Sequence, residues 1–122
     1  MQEWFYVFVG GGLGSLCRYW IGLQFSSVNT NFPLGTFAAN FVACLILGFL
    51  LGMQLKNSIS TQASLLLMTG FCGGFSTFST FSGEILDLFQ GEHYAMGLIY
   101  VAGSLIIGIM AIYIGLKLQS YL

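Results

Sequence analysis

Charge is what this sequence has least of. Three Lys/Arg, four Asp/Glu and one His are spread over 122 residues, so that 6% of the chain is charged and 57% is hydrophobic. Soluble domains carry about a quarter charged residues, and so few charges cannot cover a globule of this size against water. Lipid makes no such demand, so the expected class is an integral membrane protein. The basic residues are scattered and the net charge is -1, which leaves no electrostatic footprint for nucleic acid. There is no Ser/His/Asp arrangement, phosphate loop or HExxH motif, and no length to spare for a soluble catalytic lobe; an enzyme is not expected. Strand-like alternation is missing as well, which argues against a β-barrel. Only three cysteines occur. Cys17, Cys44 and Cys72 lie in apolar stretches without ligand-like spacing and read as packing residues.

What is present is four hydrophobic blocks punctuated by short polar clusters, the pattern of a single all-α membrane domain. The blocks run over residues 4–25, 33–53, 62–88 and 94–118. The first holds Gly10, Gly11, Gly12, Gly14 and Arg18. It follows Glu3 rather than a basic segment, so a retained span is expected instead of a cleaved signal peptide. The second opens at Pro33, well placed for a helix start, and carries no charge; at about 20 residues it would rise roughly 30 Å. An even number of spans puts both termini on one side with the loop of Lys56, and Lys117 lies there too, while Arg18 lies toward the other side. So small a positive-charge bias is compatible with insertion both ways round, and thus with an antiparallel dimer of identical chains. A fixed orientation with an inverted, separately encoded partner is the competing case. Gly10/Gly14 and Gly48/Gly52 have G-x-x-x-G spacing and invite close helix contact, within the chain or in an oligomer.

The third block is the most informative. Residues 70–84 combine adjacent Gly73 and Gly74 with five hydroxyl residues between Ser76 and Ser82, poor material for an uninterrupted lipid-facing helix. A break near residues 73–77 is expected. Its freed carbonyls can coordinate a cation or line water; alternatively a simple kink satisfies them with Ser76, Thr77 or Ser79 hydroxyls. Phe75, Phe78 and Phe81 recur every three residues. They form a packing stripe or, since ring edges are electropositive, a surface for a small hard anion. Asn40 sits mid-span with Thr36 on the same helix face, able to donate to a permeant anion or to bond another helix. Arg18 and Glu84 are the charges within spans: Arg18 attracts anions at a vestibule or snorkels to the interface, and Glu84, with Asp87 three residues on, is a functional charge or a cap on the polar end of span three. Glu84, Asp87, Glu92 and His93 fit no metal-ligand spacing.

The glycine-rich first span with its late Arg18, Gly35-Thr36-x-x-x-Asn40 in span two and the run Gly73 to Phe81 in span three together resemble the Fluc (CrcB) fluoride channel family over essentially the whole chain. The resemblance implies a four-helix subunit with a break in the third helix, paired as an antiparallel dual-topology dimer. It further implies two fluoride pathways and a central Na+. On that likeness Phe78 and Phe81 would meet fluoride edge-on, with Asn40 as a pore donor and Ser79 and Thr80 as hydroxyls beside the rings. Gly73 and Ser76 would bind sodium through backbone carbonyls, Arg18 would lie near the vestibule, and Glu84 would be the acid after the Phe motif. A polar track would fall on Tyr100, Ser104 and Gly108. The last departs from the hydroxyl often found there, which leaves open a homodimer or one half of a heterodimer.

Passive fluoride export through the cell membrane is the function so implied, with fluoride and lipid as partners. A small multidrug exporter shares the length, the four spans and the antiparallel pairing. It needs a carboxylate inside span one, where this chain has Arg18 and keeps Glu3 outside. A purely structural or accessory subunit would fit Gly108 but leave the span-three motif without a role.

Overall fold

The computed structural model describes residues 2–122, and these form helices joined by short loops. Helix α1 spans Gln2–Phe25 and α2 spans Leu34–Leu55. The third membrane-length segment is composite: α3 (Thr61–Ser64), a π-helix (Leu65–Cys72), α4 (Gly73–Phe75) and α5 (Phe78–Gln90). Helix α6 spans Tyr94–Ser120. No strand occurs among the described residues.

Helix ends follow local chemistry. Pro33 precedes α2 with its carbonyl accepting from Phe37 N–H at 3.0 Å, where its missing N–H costs nothing. Ser60 caps α3, its hydroxyl accepting from Ala63 N–H at 3.2 Å. Asn57 and Glu92 turn the chain in the left-handed region, with φ of 52° and 61°; Asn adopts it at little cost.

Packing is by glycine seams. A Cβ at Gly10 would strike the Leu66 carbonyl and one at Gly14 the Phe71 carbonyl, so α1 lies backbone to backbone against the π-helix. In the second seam Gly48 of α2 faces the Ile112 carbonyl of α6, and Gly115 of α6 faces the Leu45 carbonyl. The G-x-x-x-G pairs open to either role in the sequence are therefore spent on contacts inside this chain: Gly10 and Gly14 in the first seam, and Gly48 and Gly52 in the second, where Gly52 lies against Gln119. With no hydrophobic force between helices in lipid, such close approach is the main source of packing energy.

The interior is correspondingly small. Ala39, Ala43 and Phe75 form its centre, flanked by Cys17, Ile21, Val42, Ile46 and Phe71. Large apolar side chains point outward instead, among them Trp4, Phe8, Trp20, Leu98, Ile106 and Ile109. By length and composition α2 and α6 can each cross a membrane.

Candidate functional site

Between α4 and α5 the backbone leaves the helix. Ser76 (φ -76°, ψ 156°) and Thr77 (φ -149°, ψ 119°) are extended, and several of the polar groups released there are taken up by named partners. Thr77 N–H donates to Asn40 Oδ1 at 2.8 Å, and Asn40 Nδ2 donates to the Thr77 carbonyl at 3.4 Å. Because a backbone N–H needs an acceptor, this pairing also fixes which way the amide points. Ser76 Oγ donates to the Cys72 carbonyl at 2.8 Å, and Thr77 Oγ1 accepts from Thr80 N–H at 3.3 Å, capping α5. Ser15 of α1 donates to the Gly74 carbonyl at 3.4 Å. In a continuous helix the Gly73 carbonyl would receive Thr77 N–H and the Ser76 carbonyl Thr80 N–H. Both of those donors are turned elsewhere.

Beside these extended residues lies a cavity of about 260 Å3, lined among others by Asn40, Ser76, Phe78, Phe81, Ser104 and Gly108. The Phe78 and Phe81 ring centroids are 6.2 Å apart and inclined at 44°. Phe78 is 80% exposed, too open for a core residue. Ser104 Oγ is buried here with no hydrogen-bond partner among the described residues, an arrangement that costs about 1–3 kcal/mol unless something accepts from it. Asn40 spends one amide hydrogen on Thr77 and keeps the second.

Glu84 is held apart from that cavity. Its Oε1 accepts from Thr36 Oγ1 at 2.6 Å and its Oε2 from Tyr100 Oη at 2.7 Å. Tyr100 is fully buried, its ring meeting Phe81 edge-on at 4.9 Å and 62°. The carboxylate thereby links α2, α5 and α6. On its other side it lines a cavity of about 340 Å3 with Asn31, Asp87 and His93, where Asn31 Nδ2 and His93 Nε2 lie 3.4 Å apart. Arg18 lines a separate cavity of about 350 Å3 with Thr36, Thr77 and Thr80.

Of the residues singled out from the sequence, Asn40, Phe78, Phe81, Ser104 and Ser76 are thus gathered around one cavity. Tyr100 stands behind Phe81 and bonds Glu84; Thr80 faces Arg18; Ser79 is exposed on the surface of α5. Gly73 is exposed and lines a fourth cavity with Ser76. Arg18 and Glu84 line separate cavities. Cys44, which lines the 260 Å3 cavity, carried no functional reading in the sequence. Its signal was its register, since Thr36, Asn40 and Cys44 recur every four residues on one face of α2.

Residues 5–116 match the family model described as CrcB-like protein, Camphor Resistance (CrcB). The chain belongs to that family. A relative from Oceanobacillus iheyensis, named fluoride-specific ion channel FluC, is 43% identical over 99% of this chain and 94% of its own length. Relatives of the same name from Flavobacterium psychrophilum and Phocaeicola vulgatus are 39% and 38% identical, covering 100% and 98% of this chain and 100% of each relative. The match runs through both glycine seams, the extended residues and the Phe-lined cavity, so this CrcB-like chain shares with its relatives the segment that carries the site.

Proposed function

We propose that the chain is a fluoride-selective channel that passively exports fluoride through the cell membrane. The observation that carries the reading is the make-up of the 260 Å3 cavity. Two phenylalanine rings, the second amide hydrogen of Asn40 and the unpartnered Ser104 hydroxyl converge there, and none of the residues lining it is charged. Hydroxyl and amide hydrogens with electropositive ring edges suit a small hard anion. A neutral wall holds such an ion firmly enough to admit it and loosely enough to release it, as conduction requires. The relatives named as fluoride-specific channels support the choice of ion. Hydrogen fluoride enters cells neutral and dissociates inside, and an interior-negative potential favours anion exit by about 2.3 kcal/mol per 100 mV, so a passive pore suffices.

The interruption at Ser76 and Thr77 serves two purposes in this reading. It aims Phe78 and Phe81 at the pathway, and it takes the helical donors away from the Gly73 and Ser76 carbonyls, beside the exposed face at Gly73. Carbonyl oxygens are hard ligands that suit Na+, whose charge would neutralise the helix ends meeting there. An inverted second copy placed on that face would complete the sodium site and both fluoride pathways, giving the antiparallel dual-topology dimer. Arg18 supplies the positive potential of one vestibule, while Glu84, anchored by Thr36 and Tyr100, orders the end of the track that runs over Ser104. Ser79 and Thr80, neighbours of the rings in sequence, lie off this wall, with Thr80 lining the Arg18 cavity.

The test is efflux from liposomes containing the purified chain, followed with ion-selective electrodes. Rapid fluoride loss without chloride loss is the expected result, with Asn40→Ala and Phe78→Ile both slower. Normal flux in both variants would remove the assigned pathway. One observation favours a second reading, that the chain is half of a heterodimer: Gly108 leaves a side-chain-free gap in the polar track. No flux from the folded chain alone, restored by co-expression with a second four-helix subunit, would establish it.

A further inference from the structure

The cysteines are placed unequally. Cys17 packs beside the Ala39, Ala43 and Phe75 centre, whereas Cys44 of α2 and Cys72 of the π-helix line one cavity of about 170 Å3. Met68, one turn before Cys72, lines it too, its sulfur accepting from Ser64 Oγ at 3.3 Å. Neither thiol is oxidised to a disulfide. Cys44 and Ser76 belong at the same time to the wall of the 260 Å3 cavity, so the sulfur-lined space and the Phe-lined space adjoin through them. Two thiols and a thioether face this void from its apolar walls, beside the Gly73 and Ser76 backbone assigned above to Na+. The sulfurs are the donor set preferred by soft cations.

We propose that Cys44 and Cys72, with Met68 as a weaker third donor, form a binding site for a soft closed-shell cation of the Cu(I), Ag(I) or Hg(II) class, and that filling it shuts the pathway at Cys44. The closure, though not the binding, rests on the fluoride reading above. With mercuric chloride the step is a ligand exchange without redox. Two Hg–Cl bonds break and two Hg–S bonds form, while two chloride ions and the two thiol protons pass to solvent. Hg(II) prefers two opposed sulfurs, and Cys44 and Cys72 line the cavity from different helices, so a linear bridge would tie α2 to the π-helix. The bridge fixes the wall next to Asn40, four residues from Cys44 on the same face of α2.

The full chain carrying Cys17→Ser, in detergent, is titrated with mercuric chloride while mercury–thiolate ultraviolet absorption and proton release are recorded. One mercury per chain, releasing two protons, is expected. Cys44→Ser or Cys72→Ser added to that background should weaken binding by about tenfold or more, as loss of a ligand does. Cys44→Ala and Cys72→Ala provide the same deletion where a buried hydroxyl impairs folding. Unchanged mercury binding in the variant lacking both thiols overturns the site. In liposomes, mercury should remove most fluoride efflux relative to the same protein untreated, and excess dithiothreitol should restore it; full efflux with mercury bound overturns the closure. If untreated protein conducts no fluoride, the fluoride reading fails by itself, and the absorption titration still decides the site.

Discussion

At the residue scale a few polar side chains tie neighbouring helices to one another, each with more than one duty. Asn40 was equally consistent with a pore donor and an interhelical bond in the sequence; its geometry serves the second directly and leaves a hydrogen for the first. Asn40→Ala should therefore lower both stability and flux. It strands the Thr77 N–H at a cost of about 1–3 kcal/mol. Phe78→Ile, at a ring 80% exposed, should lower flux and leave the melting temperature of the detergent-solubilised chain nearly unchanged. Equal melting shifts for the two would mean that Phe78 packs rather than conducts. Thr36→Val and Tyr100→Phe each remove one donor from Glu84, and either should destabilise by about 1–3 kcal/mol. In a double-mutant cycle their effects should fall short of additive, because both report on one carboxylate. Strict additivity would show that the two hydroxyls act independently.

At the element scale the small residues decide how the helices meet. Gly48→Ala would drive a methyl into the Ile112 carbonyl and push α6 off α2, with a loss of about 1–3 kcal/mol in thermal or denaturant unfolding. Gly12→Ala meets open space and should be neutral or gain up to about 1 kcal/mol from helix propensity. Similar losses in both would mean that α1 and α2 rely on glycine for something other than contact. Much of this level was legible beforehand: the four hydrophobic blocks locate the helical segments, because polar clusters and Pro33 punctuate them where backbone must meet water. What the sequence could not tell was which surface each glycine faces. G-x-x-x-G spacing records a flat helix stripe and not the identity of its neighbour, and the Gly48 stripe lies against α6 of the same chain. The π-helix also escaped notice, since Leu65–Cys72 has the apolar composition of an ordinary span; within it Gly70 lies against the α1 backbone. The sulfur cavity was hidden for the same reason. Cys44 and Cys72 are 28 positions apart and meet only through the packing of α2 on the π-helix.

At the scale of the whole molecule, the proposed antiparallel dimer places opposite demands on charge. Each copy must insert both ways round, so neither face can be strongly basic, and the chain has Lys56 and Lys117 on one side against Arg18 toward the other. Each added juxtamembrane lysine strengthens the preference for keeping that side in the cytoplasm. Gln54→Lys with Gln62→Lys, both at exposed positions flanking the Lys56 loop, should therefore commit nearly all copies to one orientation. Thiol labelling of a cysteine introduced at Asn29, applied from each side of the membrane, reads the result in a background lacking the native cysteines. The unaltered loops should label from both sides, and the lysine variant from one. Fluoride efflux should fall with the minority orientation, since parallel copies cannot form the pair, and should recover when a variant biased the other way is co-expressed. Full efflux from a chain fixed in a single orientation would exclude the antiparallel dimer, and the two pathways would then have to be built by parallel copies or within one.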